Sequence, residues 1–358
     1  MNRFDYIRPA SVAEAVAEAA VPGSVYLAAG TNLLDLMKGA VARPERIIDI
    51  TRLPGLDGID WLPDGSVRIG ALVRNSDLAY DARFARRFPA VAEALLSGAS
   101  PQLRNAATVG GNLMQRTRCA YFHDLASACN RRMPGTGCDA RDGENRLHAV
   151  LGWSEQCIAT HPSDFCVPLV ALDAVIEVEG PQGAREIAVD ALHALPGATP
   201  ERETTLSPGE LIVALRIPGE AAAFSHNARY LKLRERTSYA FAVVAAAAAL
   251  ELEEDGAIRR ARIALGGVAA KPWRAKEAEA SLAGRRPTPA AFAKAAELAL
   301  AEARPSGDNA FKIELARRIV TRALTLALEG TPDVMPALPA SPFSTIPGTQ
   351  TAGANHVA

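Results

Sequence analysis

Gln102-Leu-Arg-Asn-Ala-Ala-Thr-Val-Gly-Gly-Asn112 opens a stretch that carries Cys119, Cys129, Cys138 and Cys157 and closes on His161-Pro-Ser-Asp164. Four of the five cysteines fall inside it, spaced C-x9-C-x8-C-x18-C, and Cys166 follows. A globular chain gains little from four thiols in a loop-rich segment unless they share a ligand. Zinc ribbons and fingers keep their ligands in tight C-x2–4-C pairs, which this stretch lacks. An iron–sulfur cluster takes four thiolates without a fixed loop length. Arg116, Arg118, Arg131, Arg132 and Arg141 share the segment, and Gly135 and Gly137 let its backbone fold closely. Cations and backbone N–H donors offset the negative charge of a thiolate-held cluster. Spacing alone leaves three readings open: a cluster, a zinc site, or buried free thiols acting as small hydrophobes.

The whole chain sets bounds on what surrounds this segment. Its 358 residues, 49 % of them hydrophobic, suffice for two or three domains. Lys and Arg number 39 against 40 Asp and Glu, a net charge of -1, so no general basic field exists to attract nucleic acid. The start, Met-Asn-Arg-Phe-Asp-Tyr-Ile-Arg-Pro, has no apolar core of a cleavable signal. The longest apolar run, Tyr239 to Leu250, is short of the roughly 20 residues a membrane span needs. A soluble protein without a membrane span is expected. Five cysteines, an odd count, do not make a disulfide framework.

Residues 1–55 read as a small α/β unit. Ser11 with Glu14 forms a capping box for a helix over 12–20. A strand over Val25 to Ala29 runs into Gly30-Thr31-Asn32 and a helix over Leu33 to Lys38, and a second strand covers Arg46 to Ile50. The unit from 56 to 222 opens with a hairpin over Ile59 to Leu72, where Asp64-Gly65 supplies a tight turn. Helical periodicity runs from Ser76 to Leu96, broken at Pro89; residues 97–165 are loop-rich, with the thiol loop at 113–160. A strand is expected over 168–178, and loops around one strand at Glu210 to Ile217 over 180–222. From 223 to 330 the pattern predicts strands over 230–252 and 257–268, then helices over 275–283, 289–304 and 309–328. The Pro/Ala/Thr/Ser-rich stretch 331–358 has no periodicity and reads as a disordered tail.

Two glycine turns carry a second chemistry. Gly30-Thr31-Asn32 presents backbone N–H groups at a helix start, where phosphate is favoured. Thr108-Val-Gly-Gly-Asn112 lets the backbone pass close to a flat or phosphorylated ligand. Each alone is an ordinary turn; together they suit a dinucleotide diphosphate held from more than one side. Neither fits G-x-G-x-x-G or a Walker sequence. Ser163 and Asp164 could bond a ribose or ribityl hydroxyl, or simply cap the following helix. The six histidines have no i, i+4 pair, and no G-x-S-x-G elbow occurs.

Leu27-Ala-Ala-Gly-Thr-Asn-Leu-Leu34, Ala107-Thr-Val-Gly-Gly-Asn112, His161-Pro-Ser-Asp164 and Tyr230-Leu-Lys-Leu-Arg-Glu-Arg-Thr-Ser-Tyr-Ala-Phe-Ala242 together resemble the FAD-binding subunits of xanthine dehydrogenase-type molybdenum hydroxylases. The resemblance spans roughly residues 1–330. With its loop cysteines, the chain looks most like the branch of periplasmic aldehyde oxidoreductase, whose flavin subunit carries an extra 4Fe-4S cluster; 4-hydroxybenzoyl-CoA reductase has a similar insertion. The resemblance implies an α+β fold: an FAD-binding module of the p-cresol methylhydroxylase type in two α/β parts, then a C-terminal domain of β-sheet plus helices. It implies that Leu27, Ala28, Ala29, Gly30, Thr31, Asn32, Leu33 and Leu34 wrap the FAD diphosphate. Thr108, Gly111 and Asn112 would line a second flavin loop, Asp164 would bond the sugar-like portion, and Ile212 and Lys232 would lie beside the flavin. Ala29 stands where relatives often have glycine, which costs little if its φ is negative. The same resemblance favours Cys119, Cys129, Cys138 and Cys157 as cluster ligands and leaves Cys166 a buried bystander.

The function so implied is electron transfer in a heterotrimer. A partner with a molybdenum cofactor would oxidise an aldehyde, a partner with 2Fe-2S centres would pass electrons to FAD, and an external acceptor would receive them. The alternatives are the FAD subunit of another xanthine dehydrogenase- or 4-hydroxybenzoyl-CoA reductase-type enzyme, a stand-alone flavoprotein oxidase, and a zinc-stabilised assembly protein without flavin. The resemblance places the complex in the periplasm, exported folded on a twin-arginine partner, since the chain shows no signal; a cytoplasmic complex is the alternative.

Overall fold

The computed structural model describes residues 1–332. Apart from Thr331 and Pro332, the tail expected to be disordered lies outside the described residues.

Three sheets divide the chain. The first is parallel, order β1-β3-β2, with β1 at Asp5–Ile7, β2 at Ser24–Leu27 and β3 at Arg46–Asp49. Ser11 caps the helix Val12–Ala19 by accepting from the Glu14 N–H at 3.2 Å, and Glu14 Oε2 accepts in return from the Ala10 N–H. The helix starts where the sequence predicts it, with Glu14 reaching one residue beyond the cap expected of a capping box. The short, exposed strand β1 carries no alternating pattern and is not legible in the sequence.

The second sheet is antiparallel, order β4-β5-β8-β6-β7. Its strands are β4 (Ile59–Trp61), β5 (Val67–Gly70), β6 (Val175–Gly180), β7 (Gly183–Ala188) and β8 (Leu211–Ile217). Gly65, at φ +81°, makes the β4–β5 turn. Two expectations change here. The segment read as a strand from 168 begins instead as the helix Cys166–Ala171, and β7, expected as loop, pairs with β6 in a hairpin. Five of the six β7 positions are exposed, and polar Arg185 and Glu186 hide its strand character.

The third sheet, order β12-β11-β10-β9, comprises β9 (Ala228–Leu233), β10 (Val244–Leu252), β11 (Ile258–Gly266) and β12 (Trp273–Arg274). The run expected as one strand over 230–252 is thus two, separated by residues 234–243. Both faces of β10 are buried. Ala245, Ala247 and Ala249 enter the core shared with the second sheet, while Val244, Ala246, Ala248 and Leu250 face the C-terminal helices. A two-sided strand reads as continuous apolar sequence rather than alternation. The helix Phe311–Glu329 covers it with Ala316, Val320, Ala323, Leu324 and Ala327, one face at helical spacing.

Candidate functional site

A cavity of about 530 Å³ lies where the first sheet meets the second. Its walls come from β2 and the turn after it, the helix Val109–Leu113, Ala71 and Leu72, Ile212 on β8, and residues 201–206. Its size falls in the range of small-molecule sites. Ala29, Gly30, Thr31 and Asn32 line it, and their backbone N–H groups donate to nothing among the described residues. Four free donors in one turn form a nest for an anion such as a diphosphate. Gly30 has φ +75°, and a Cβ there would stand 2.7 Å from Leu34 Cδ1. Ala29 is not among the residues with positive φ, so its methyl group is tolerated.

The second glycine turn works differently. Gly110 N–H donates to Ala71 O at 2.9 Å, Gly111 N–H to Thr108 Oγ1 at 3.2 Å, and Asn112 N–H to Thr108 O at 2.8 Å. Its donors are spent within the fold, on Ala71 and on the first turn of a short helix. What it offers is closeness: a Cβ on Gly110 would meet Ala71 at 3.0 Å. Thr108, Gly111, Ile212, Ala28 and Leu33 reach the cavity wall, whereas Leu27, Leu34, Asn112, Asp164 and Lys232 do not. Their polar atoms are engaged elsewhere. Asn112 Oδ1 accepts from Ser163 Oγ at 2.8 Å. Asp164 accepts from the Tyr230 hydroxyl at 2.6 Å and from Lys232 Nζ at 2.7 Å, and Lys232 also donates to Ser97 O. This buried group ties β9 to the segment after the thiol loop.

Cys119, Cys129, Cys138 and Cys157 line a second, smaller void. An antiparallel bridge sets Cys129 opposite Cys138, and Asn130 closes the loop between them through the Gly137 N–H at 2.8 Å. Gly135 and Gly137 adopt φ +84° and +102° there, which larger residues rarely do. Arg132 holds the carbonyls of Tyr121 and Phe122 at 2.8 Å. The sulfurs face donors: His148 Nε2 lies 3.2 Å from Cys119 Sγ, and Arg131 Nη2 and the Ala159 N–H lie 3.6 and 3.5 Å from Cys157 Sγ. Burial pushes the Cys119 thiol up to about 11 and also raises that of Cys138. In such a void thiolates persist only with a compensating positive group.

His161, Cys166 and His193 bring donor atoms within 4.8 Å of one another. His161 Nε2 and His193 Nε2 stand 3.1 Å apart, and His193 Nε2–H donates to Leu113 O at 2.8 Å. Burial lowers the pKa of His193 to about 4 and that of His161 well below its usual range, and it raises Cys166 to about 12. The two histidines contact one another in the wall of the large cavity, while Cys166 lies behind it, its N–H donating to Ser163 Oγ at 3.3 Å. His148, His193 and Glu203 have no local motif; each is brought to its site from a distant segment, so sequence spacing could not find them.

Residues 2–220 match the family described as FAD binding domain in molybdopterin dehydrogenase. The chain belongs to that family. Residues 229–327 of this molybdopterin-dehydrogenase FAD subunit match the CO dehydrogenase flavoprotein C-terminal domain. It is 47% identical over 329 residues to the aldehyde oxidoreductase FAD-binding subunit PaoB of Escherichia coli (strain K12), covering 91% of this chain and 99% of that one. It is 31% identical over 332 residues to the carbon monoxide dehydrogenase medium chain of Hydrogenophaga pseudoflava, covering 91% and 97%. Its fold is similar to a chain of the reconstituted CO dehydrogenase from Oligotropha carboxidovorans, with TM-score 0.72 at 28% identity, covering 92% and 99%. The chain is therefore an FAD-binding oxidoreductase subunit of the molybdenum hydroxylase type, with the FAD-binding module followed by a sheet-and-helix domain. Among the described residues, no helix is long and apolar enough to cross a membrane.

Proposed function

We propose that the chain holds FAD in the large cavity and a 4Fe-4S cluster in the void lined by Cys119, Cys129, Cys138 and Cys157, as the electron-transfer subunit of a molybdenum-dependent aldehyde oxidoreductase. One observation carries the reading. Four cysteines scattered along the loop line a single buried void beside the flavin-sized cavity. No three of them bring their sulfurs within 4.8 Å of one another, among the described residues. Zinc with sulfur ligands at about 2.3 Å in a tetrahedron needs sulfurs nearer than that, about 3.8 Å apart. A cubane, whose sulfurs bind different irons, needs them farther apart, which supports it over zinc.

FAD suits the task because it accepts electrons singly from iron–sulfur centres and releases them singly or in pairs. The free N–H groups of Ala29 to Asn32 would hold its diphosphate, Thr108 and Gly111 would pack on it, and Ile212 would lie beside its ring system. Asp164 and Lys232 would act from behind the wall, by fixing β9 and the segment at 161–164. The loop cysteines would hold the cluster, and Arg131 and His148 would offset its charge. No residue of this chain is assigned as acid or base for aldehyde oxidation. That chemistry belongs to a partner carrying the molybdenum cofactor, with a 2Fe-2S partner between, and an external acceptor takes the electrons.

The likeness to an aldehyde oxidoreductase FAD-binding subunit supports this assignment. Co-purification from its native host tests it. The tagged chain should bring down a molybdenum subunit and a 2Fe-2S subunit, with aldehyde-dependent dye reduction needing all three. Aldehyde oxidation by the isolated chain would instead identify a stand-alone flavoprotein oxidase. The complex is proposed to be periplasmic, carried across by a twin-arginine partner; fractionation that finds it wholly in the cytoplasm contradicts this.

A further inference from the structure

The large cavity and the thiol void share two lining residues, Thr117 and Arg131. Arg131 is the one that carries charge. Its side chain is 5% exposed, and it lies in the turn just after Cys129 that Asn130 pins. One nitrogen of the fork, Nη2, faces Cys157 Sγ at 3.6 Å; the other, Nη1, pairs with Glu203 Oε2 at 3.0 Å. Glu203 in turn accepts from Arg116 Nε at 2.7 Å, and both Glu203 and Arg116 stand in the wall of the large cavity. The polar line therefore runs from the Cys157 thiol, through Arg131 and Glu203, to Arg116. A single carboxylate between two guanidinium groups leaves the line with one net positive charge. Arg132, the next residue, makes no such line: it brackets the carbonyls of Tyr121 and Phe122.

We propose that Arg131 is a positioning residue shared by the two cofactor sites, holding the Cys157 sulfur on one side and walling the flavin cavity on the other, so that it sets the reduction potential of the cluster. The proposal rests on the FAD and 4Fe-4S reading above. A cation beside a thiolate ligand stabilises the reduced, more negative cluster and raises its potential. In this buried wall that charge is weakly screened, and a planar fork serves both partners at once where a lysine ammonium serves one.

Redox titration of the purified complex, followed by low-temperature electron paramagnetic resonance, tests this with R131Q, R131K and R132Q, iron and FAD being counted per complex each time. R131Q should keep its iron and FAD, and its cluster midpoint should move to more negative potential. R131K, which keeps the charge, should move it in the same direction by less. R132Q is the control: it loosens the loop and lowers iron content, while the midpoint of the remaining cluster stays at the wild-type value. An R131Q complex with full iron and an unchanged midpoint overturns the proposal. So does loss of iron in both R131Q and R131K with FAD retained, since Arg131 is then a brace like Arg132. A wild-type complex with FAD but no iron beyond its 2Fe-2S centres overturns the cluster reading itself, and is distinguished by the iron count before any variant is made.

Discussion

Gly30 concentrates the conformational demands of the large cavity in one residue. Its φ of +75° is the left-handed region, and a Cβ would press to 2.7 Å from Leu34 Cδ1. For an L-residue that backbone alone costs about 1–2 kcal/mol, and the side-chain contact adds to it. Gly30→Ala should turn the free N–H groups of residues 29–32 away from the cavity. We expect the variant to fold, with its melting temperature lowered by a few degrees, and to lose most of its FAD on purification. Full FAD per chain in that variant would show that this turn does not hold the cofactor. Gly30 stands out in the sequence because turn chemistry is local: a glycine between a strand and a helix start marks a turn, ordinary alone and informative beside the second glycine turn. The cysteines are legible for the same reason, as four rare residues within one loop. Asn112, Asp164 and Lys232 find partners distant in sequence, which no local pattern reveals. Lys232 reaches from β9 to Asp164 and Ser97, and Asn112 accepts from Ser163, bonds that the family pattern does not specify. Arg131 and Glu203 escape notice likewise.

At the scale of elements, the long helix Phe311–Glu329 does more than cover β10. Its Lys312, fully buried, sends Nζ to the carbonyls of Leu147, His148 and Gly267 at 2.8, 2.8 and 2.7 Å. Burial pushes that amine down to about 7. The C-terminal domain thereby grips the backbone beside His148, whose ring lies 3.2 Å from Cys119 Sγ. Lys312→Met removes the Nζ donor from three carbonyls, of which His148 O keeps Asn309 Nδ2 at 3.1 Å, and a buried acceptor left unpaired costs about 1–3 kcal/mol. Thermal unfolding should shift down by more than for Lys294→Met on the exposed face of the preceding helix, and iron content should fall with it. Equal melting temperatures for the two variants would contradict this role. The helix itself is plain in the sequence, since one apolar face repeats at helical spacing. The strands are less so. β10, buried on both sides, has no alternation to mark its start, and only the polar run Arg234-Glu-Arg-Thr-Ser238 separates it from β9 in the sequence. The polar edge strand β7 shows the opposite failure.

For the whole molecule, three sheets place two cavities side by side, one with a nest of free amide donors and one lined by four thiols. Membership of the molybdopterin dehydrogenase FAD-binding family accounts for the first. Sequence motifs led to the same family because its turns are short and locally determined. The second cavity depends on cysteines converging from a loop whose path no local pattern specifies, and the account turns on what fills it. The most direct test is to purify the complex anaerobically and record its absorption spectrum with FAD and iron counted per chain. A flavin spectrum on a broad brown shoulder is expected, with about four irons beyond those of the partner's 2Fe-2S centres, lost in Cys119→Ser while the flavin stays. Flavin with no additional iron would contradict it and leave the four cysteines as buried thiols.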